Sequence, residues 1–356
     1  MSPYRVAIIG CGRIASLLEQ EEWRGHPCTH AGCFDYCPRT TIVAASDAVA
    51  ERREAFGRRW GVERLYADAE TMLAREEAEI VCIATYPIPH RDLTLTAVAA
   101  GAKAIFCEKA MATSLREADE MIAAGAAVGV RLTINHGRRW DWQYRQVGRL
   151  LREGRIGALR AMALHGACGL ANNGTHYFDM LRYFAGDVAW AVGRLADPEA
   201  LDPRGSGYFH FASGVECTVN LATAGRAAHL FELIGERGRI VVANNRPPRF
   251  RVFVDADGVM AEQPFPQTPA EEVVNTFGAG RCVLPRAVEE IVASLDRGEP
   301  TCSTGEDGRT ALEMVLALHE SHALGNVRVG FPLSNRDRRV LVRDADFVSS
   351  AQPAAG

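Results

Sequence analysis

A glycine-rich turn and a Glu-Lys pair at the end of an apolar run are the residues in this chain whose types and spacing suit chemistry. Gly10-Cys11-Gly12-Arg13-Ile14-Ala15 follows the apolar run Val6–Ile9 and, on its pattern, opens a helix. That strand-to-helix setting is the one in which G-x-G-x-x-G/A binds a dinucleotide. Gly10 permits the tight turn, Gly12 lets backbone approach a pyrophosphate, and Ala15 allows close helix–strand packing. Arg13 and Ile14 stand where helix N–H groups face the anion. A ligand-free structural turn is the competing reading, and the N-terminal position and flanking pattern weigh against it.

Asp47 ends the second apolar run, where a carboxylate accepts hydrogen bonds from the adenosine ribose and repels a 2′-phosphate. NAD is therefore favoured over NADP, although Arg52 and Arg53 lie close enough to soften the preference. Asp47 stands 37 residues beyond Gly10, against roughly 20 in the compact fingerprint, which makes part of Glu19–Cys37 an insertion. His26, Cys28, His30, Cys33 and Cys37 crowd that segment, but no clean C-x-x-C pair is present and the expectation is no metal.

Cys107-Glu108-Lys109-Ala110 closes another apolar run, at the sheet edge where open α/β folds bind ligands. In extended chain Glu108 and Lys109 point to opposite sides. One can hold the fold or the cofactor while the other enters an active cleft; an ion pair on the surface is the commoner fate of a lysine. Arg139, in the run from Asn135 to Trp142, could bind a substrate phosphate or carboxylate, with packing an equal alternative.

The elements that must position these residues alternate through the first half. Val6–Ile9, Thr41–Ala45, Ile80–Ala84, Ala104–Cys107 and Arg131–Ile134 read as strands, and Leu93–Ala100 and Leu115–Ala124 as the clearest helices between them. This is the pattern of a doubly wound parallel sheet. A helix around Trp142–Glu153 follows, and then the texture changes to period-2 runs separated by turn signals: Tyr208–Phe211, Glu216–Leu221, Ile240–Ala243 and Phe250–Val254. Ser213-Gly214 and Asp257-Gly258 supply hairpin turns. Helices near Thr175–Phe184, Arg286–Asp296 and Gly308–Leu324 are expected to pack on this second, mainly antiparallel sheet. The organisation is thus a Rossmann domain over residues 1–135, a substrate-binding and oligomerisation α/β domain over 136–348, and a loose tail over 349–356.

Composition narrows the partners. With 40 basic and 44 acidic residues and no block of either sign, the chain carries no footprint for nucleic acid. No apolar stretch approaches the roughly 20 residues that span a bilayer, and the N-terminus lacks a signal-peptide pattern. Ten cysteines without such a signal read as reduced thiols. A cytoplasmic protein with a small-molecule partner is expected.

The motifs taken together resemble the Gfo/Idh/MocA family of glucose–fructose oxidoreductase and inositol dehydrogenase. The matches run in order: Gly10-x-Gly12-Arg13-Ile14-Ala15; Ala84-Thr85-Tyr86-Pro87 leading to His90; Gly101 before Glu108-Lys109; Arg139-Trp140 ahead of Gly154-Arg155-Ile156-Gly157; and Gly174-Thr175-His176-x-x-Asp179. The resemblance implies dinucleotide contacts around Ala84, Thr85, His90, Glu108 and Lys109. It also implies that Lys109 meets the reacting hydroxyl while His176 shares the proton work, and that the C-terminal sheet makes a homodimer or homotetramer. Two positions depart from the pattern. Ala110 replaces the usual proline, and Asn172 stands where these dehydrogenases usually carry Asp. Asn cannot ionise, so Asn172, with Asn173, is expected to bind a polyhydroxylated ligand rather than relay a proton.

The leading expectation is an NAD-dependent dehydrogenase acting on a secondary alcohol or ketone of a sugar, inositol, sugar phosphate or nucleotide sugar. Asn172 keeps two others open: a redox-assisted lyase or glycosidase with tightly held NAD, and a non-catalytic NAD-binding regulator.

Overall fold

The computed structural model describes residues 2–223, 229–244, 249–266, 283–340 and 342. They fall into two compact units, one formed by 1–135 with 274–309 and 342–356, the other by 136–273 with 310–341. The expected tail over 349–356 lies outside the described residues.

The first unit is a six-stranded parallel sheet. Its strands are β1 (Tyr4–Ile9), β2 (Thr40–Ser46), β3 (Leu65–Tyr66), β4 (Ile80–Ile83), β5 (Ala104–Cys107) and β6 (Arg131–Ile134), in the spatial order β3-β2-β1-β4-β5-β6. This is the doubly wound order whose reversal lies between β1 and β4. The central strands are apolar on both faces because helices cover both: Val6 to Ile9, Ile80 to Ile83 and Ala104 to Cys107 are all buried. The crossover helices are α1 (His30–Tyr36), α2 (Ala50–Trp60), α3 (Ala69–Glu76), α4 (His90–Ala99) and α5 (Leu115–Val128). Ser114 caps α5, its hydroxyl accepting from the Glu117 amide, and Gly129 ends the helix in the left-handed region.

The helix expected directly after the glycine turn is divided. Ser16 and Leu17 amides bond to the Gly12 carbonyl, completing one turn, and the chain then leaves on an excursion through a short 3₁₀ segment at Leu17–Gln20. It returns at His30, whose amide bonds to the Ile14 carbonyl at 3.0 Å, while Ala31 bonds to Ala15 at 2.9 Å. The turn at 12–15 and α1 therefore continue one another across a spliced loop. Glu19 closes the splice, its carboxylate accepting from the Cys28 and Thr29 amides and the Thr29 hydroxyl.

One further helix, α8 (Leu284–Arg297), belongs to this first unit and not, as expected, to the second sheet. Asp296 on α8 accepts from Tyr4 Oη and from Arg39, which ties it beside β1 and β2. Nothing local in the sequence records that return.

The second unit holds α6 (Trp142–Arg152), α7 (Thr175–Ala185) and a nine-stranded sheet: β7 (Leu159–His165), β8 (Val188–Leu195), β9 (Gly205–Phe211), β10 (Glu216–Asn220), β11 (His229–Gly235), β12 (Gly238–Asn244), β13 (Arg249–Ala256), β14 (Val259–Gln263) and β15 (Val329–Gly330). Every pairing is antiparallel except β7 with β10. The turn joining β13 and β14 holds Asp257 and Gly258 at φ 55° and 81°, the doubly positive geometry that two-residue hairpins require. Helix α9 (Gly305–Ala323) lies against β8 and β9 where Gly193 and Gly207 leave room for Leu318; a Cβ on either glycine would come within 2.6 Å of that side chain.

Candidate active site

Register carries five strand ends of the first unit to one row. Ile9 pairs with Ser46 and with Ile83, Ile83 with Cys107, and Cys107 with Ile134. The next residue of each strand, Gly10, Asp47, Ala84, Glu108 and Asn135, therefore emerges at the same carboxyl edge.

At this edge Gly10 has φ +89°, and an added Cβ would meet the Ala84 carbonyl oxygen at 3.0 Å. Gly12 differs, because nothing lies within 4 Å of where its Cβ would be. The open face of Gly12 suits the approach of a pyrophosphate, and Thr85 Oγ1 nearby is buried with no protein hydrogen-bond partner among the described residues. Asp47 Oδ2 accepts from the Cys11 amide at 2.8 Å and Oδ1 from the Val49 amide at 2.8 Å, which fixes the carboxylate against the turn. The edge thus fits a dinucleotide, for which Gly12, Arg13 and Ile14 would face the phosphates and Asp47 a ribose. Arg13 is exposed and pairs with Glu21 from the spliced loop.

Because the two glycines serve different purposes, their alanine variants should separate. Gly10→Ala forces a left-handed alanine, a cost of about 1–2 kcal/mol, and should lower the urea midpoint. Gly12→Ala should leave that midpoint within error and weaken NAD binding, measured by nicotinamide fluorescence. Equal NAD affinity in Gly12→Ala and the wild type would remove the turn from the cofactor site.

Glu108 and His90 were both expected to touch the dinucleotide, but both are buried and occupied by protein. His30 Nε2 lies 2.8 Å from Glu108 Oε1, and Asn135 Nδ2 donates to the same oxygen at 2.7 Å. Burial would raise the Glu108 pKa, but His30, Lys109 and Asn135 hold it down at about 2. Burial likewise pulls His30 down, and Cys82 and Glu108 outweigh it, raising the imidazole from its ordinary 6.5 to about 10. The two form a charged pair at neutral pH. His90 Nδ1 faces the Ala110 carbonyl at 3.0 Å and Nε2 the Thr85 carbonyl at 3.1 Å. Burial keeps that ring neutral, so its one N–H serves one carbonyl at a time. Lys109 follows at the edge, half-buried, and its peptide bond to Ala110 is cis.

In the second unit the Gly169–Gly174 segment forms a π-type turn that runs directly into α7. Asn172 and Asn173 are exposed on it, and His176 is half-buried one turn later. Asp202, from the loop between β8 and β9, accepts from the Ala171 amide at 2.6 Å and from the Asn172 amide at 3.0 Å. Sequence reasoning passed over Asp202; its φ of 57° is the unusual feature, and no spacing rule reveals it.

His176 stands edge-on to His136, ring centroids 5.7 Å apart. Arg139, for which substrate binding and packing stood equal in the sequence, is buried and committed to the fully buried Asp179, with Nε 2.9 Å from both carboxylate oxygens and Nη2 2.8 Å from Oδ1. Its guanidinium ties the segment after β6 to α7. Arg138 lies over the Tyr177 ring at 4.4 Å.

Within the inserted segment, Glu19, His26 and Cys28 bring three ligand-type atoms within 4.8 Å of one another. The Glu19 carboxylate is already engaged by the donors that close the splice, and His26 Nδ1 lies 2.9 Å from it.

These two units, a dinucleotide-binding sheet and an α/β domain with an open sheet, are those of a nicotinamide-dependent oxidoreductase. The chain belongs to the Gfo/Idh/MocA oxidoreductase family: residues 4–136 match its NAD-binding Rossmann fold and 160–330 its C-terminal alpha/beta domain. It is 33% identical over 263 residues to D-apiose dehydrogenase of Paraburkholderia graminis, covering 67% of each chain. It is 23% identical over 343 residues to myo-inositol 2-dehydrogenase of Thermotoga maritima, covering 89% of this chain and 96% of that one. In fold it is similar to levoglucosan dehydrogenase solved with NADH and L-sorbose, at TM-score 0.77 and 19% identity over 94% of this chain and all (100%) of that one. The WlbA dehydrogenase of Bordetella pertussis, solved with NADH and UDP-GlcNAcA, aligns at TM-score 0.73 and 21% identity over 93% of this chain and 100% of that one. No helix among the described residues is long and apolar enough to cross a membrane.

Proposed function

We propose that this oxidoreductase interconverts a secondary alcohol and a ketone on a sugar or cyclic polyol, with Lys109 and His176 moving the hydroxyl proton. The observation that carries the reading is the shared edge: the phosphate turn at Gly10 and the Glu108-Lys109 pair leave β1 and β5, the two strands flanking β4, at one register level. Bound NAD supplies the acceptor for the hydride leaving carbon. As the neutral amine, Lys109 Nζ takes the one hydroxyl proton as the carbonyl forms and His176 carries it on; in the reverse direction the same proton comes back by the same route. Asn172 and Asn173, being exposed amides, each offer a donor and an acceptor to vicinal hydroxyls. Arg139 keeps α7, and with it His176, in place through Asp179. The curated relatives act on apiose and inositol, by their names, which supports a polyol of that size.

We further infer a cytoplasmic homo-oligomer assembled through the nine-stranded sheet. Support comes from the partly exposed stack of Trp190 on Tyr208 and His210, and from nine described cysteines that are all free thiols.

A panel of pentoses, hexoses, inositols, sugar acids and nucleotide sugars, followed by absorbance of reduced nicotinamide, tests the reading. Cofactor reduction by at least one polyol is expected. Intact NAD binding with no turnover across the panel would overturn it, and product formed without net cofactor reduction would move the protein to a redox-assisted lyase.

A further inference from the structure

The relation between Lys109 and the residue before it points to a further role, resting on the reading of Lys109 as the proton-moving group. Glu108 is a carboxylate with 6% of its surface exposed, at the end of a strand whose next residue enters the site. An ion in such a place is costly unless it is paired and hydrogen-bonded. Three donors converge on it: His30 Nε2 at 2.8 Å and Asn135 Nδ2 at 2.7 Å on Oε1, and the Lys109 amide at 3.3 Å on Oε2. The last matters most for function, because it joins the buried pair to the backbone that carries the Lys109 side chain.

His30 is itself immobilised. It is fully buried, its ring sits edge-on to Phe106 of β5 at 4.9 Å, and its amide is bonded to Ile14 in the phosphate turn. One residue therefore touches both the turn that faces the cofactor phosphates and the carboxylate that anchors Lys109. Its place as the first residue of α1 follows from the splice, with Thr29 capping the helix and Glu19 holding Thr29.

We propose that His30 is a positioning residue for the reaction, fixing Lys109 through Glu108 so that its Nζ keeps a constant place relative to the phosphate turn. The other ionisable groups facing Glu108 are Lys109, Cys107 on β5 and His90 on α4, while Cys82 on β4 faces His30. His30 bonds a Glu108 oxygen from within the buried layer, whereas Lys109 stands at the half-buried edge. Removing it leaves Asn135 to hold Oε1 alone, so Glu108 gains freedom to turn and the Lys109 backbone loses its fixed reference. A displacement of about 1 Å at a reacting group can cost on the order of 100-fold in rate.

The test compares His30→Ala, His30→Gln and Lys109→Ala in the full chain. Gln places an amide nitrogen near Nε2, restoring the hydrogen bond without the charge. In His30→Ala, kcat per folded molecule should fall about 10- to 100-fold, with the NAD dissociation constant within about threefold and the pH profile of kcat/KM shifted on the limb assigned to Lys109. His30→Gln should recover most of kcat while the shifted limb persists. If His30→Ala lowers only thermal stability and leaves kcat and the pH limb at wild-type values, the positioning role is overturned. Should His30→Ala fail to fold, His30→Gln decides by the same pH limb, an unshifted limb overturning the proposal. Lys109→Ala keeps the two readings apart. Persisting turnover there removes Lys109 from the chemistry, whereas a dead Lys109→Ala beside an unaffected His30→Ala and His30→Gln removes His30 alone.

Discussion

Replacing Lys109 by alanine is expected to lower kcat by about 10²- to 10⁴-fold, the range that a positioned proton acceptor contributes, while NAD affinity changes by less than about threefold. The expectation follows from the division of labour at the carboxyl edge. The phosphate turn and Asp47 are built on β1 and β2, whereas Lys109 stands beyond β5 with its own anchor in Glu108. The proposed function thus puts binding and chemistry on separate strands, and they should respond to mutation separately. The measurement is steady-state kinetics on a responding polyol together with fluorescence titration of NADH. His176→Ala is the companion variant; the proposed function has one proton served by both residues, so their effects should be less than multiplicative. Turnover retained within tenfold in Lys109→Ala would place the proton transfer on another group.

The second large effect concerns folding rather than turnover. Asp179→Ala should destabilise the protein by about 3–5 kcal/mol, because it leaves the buried Arg139 guanidinium without its counter-ion. Asp179 is fully buried and meets Arg139 through three short contacts. The comparison is Arg13→Ala, which removes a side chain 72% exposed from its pair with Glu21; pairs of that kind contribute no more than about 1 kcal/mol. Urea denaturation of both variants decides the matter. Equal midpoints for Asp179→Ala and the wild type would mean that the pair carries no net stability, and Arg139 would return to consideration as a substrate contact.

How much of this could be read from the sequence depends on the range over which each feature is encoded. Runs such as Ile80–Ile83 and Ala104–Cys107 are apolar throughout because helices cover both faces of a parallel sheet, so they announce themselves locally. The glycine turn is equally local. In the second unit, β7 reads Leu-Arg-Ala-Met-Ala-Leu-His and β8 Val-Ala-Trp-Ala-Val-Gly-Arg-Leu; alanine and glycine on one face blur the alternation, and both strands went unread. The hairpin at Asp257-Gly258 was legible because two positive φ angles demand those residues.

The pairs that organise the site were not legible, and the reason is distance. Glu108 bonds to His30 across 78 residues, Arg139 to Asp179 across 40, and the Asn172 amide to Asp202 across 30. Each side chain has an ordinary solvated reading when taken alone, and only the fold chooses its partner. His30 shows this most clearly: the sequence, giving no metal site among its neighbouring cysteines and second histidine, offered no partner for it, and in the structure it is bonded to a buried carboxylate. The continuation of the phosphate turn into α1 was hidden in the same way, since an intervening loop erases the helical period that would have joined them.

That loop has a consequence of its own. Its two ends are held one helical step apart by the His30–Ile14 and Ala31–Ala15 hydrogen bonds, so the sheet is indifferent to how many residues travel between them. Closing a flexible loop becomes harder only by about 0.6 kcal/mol for each doubling of its length. Provided Glu19 and Thr29 remain to clasp the junction, the segment is a port: a binding peptide, a fluorophore site or a tether could be grafted there beside the nucleotide turn while the scaffold beneath keeps its form.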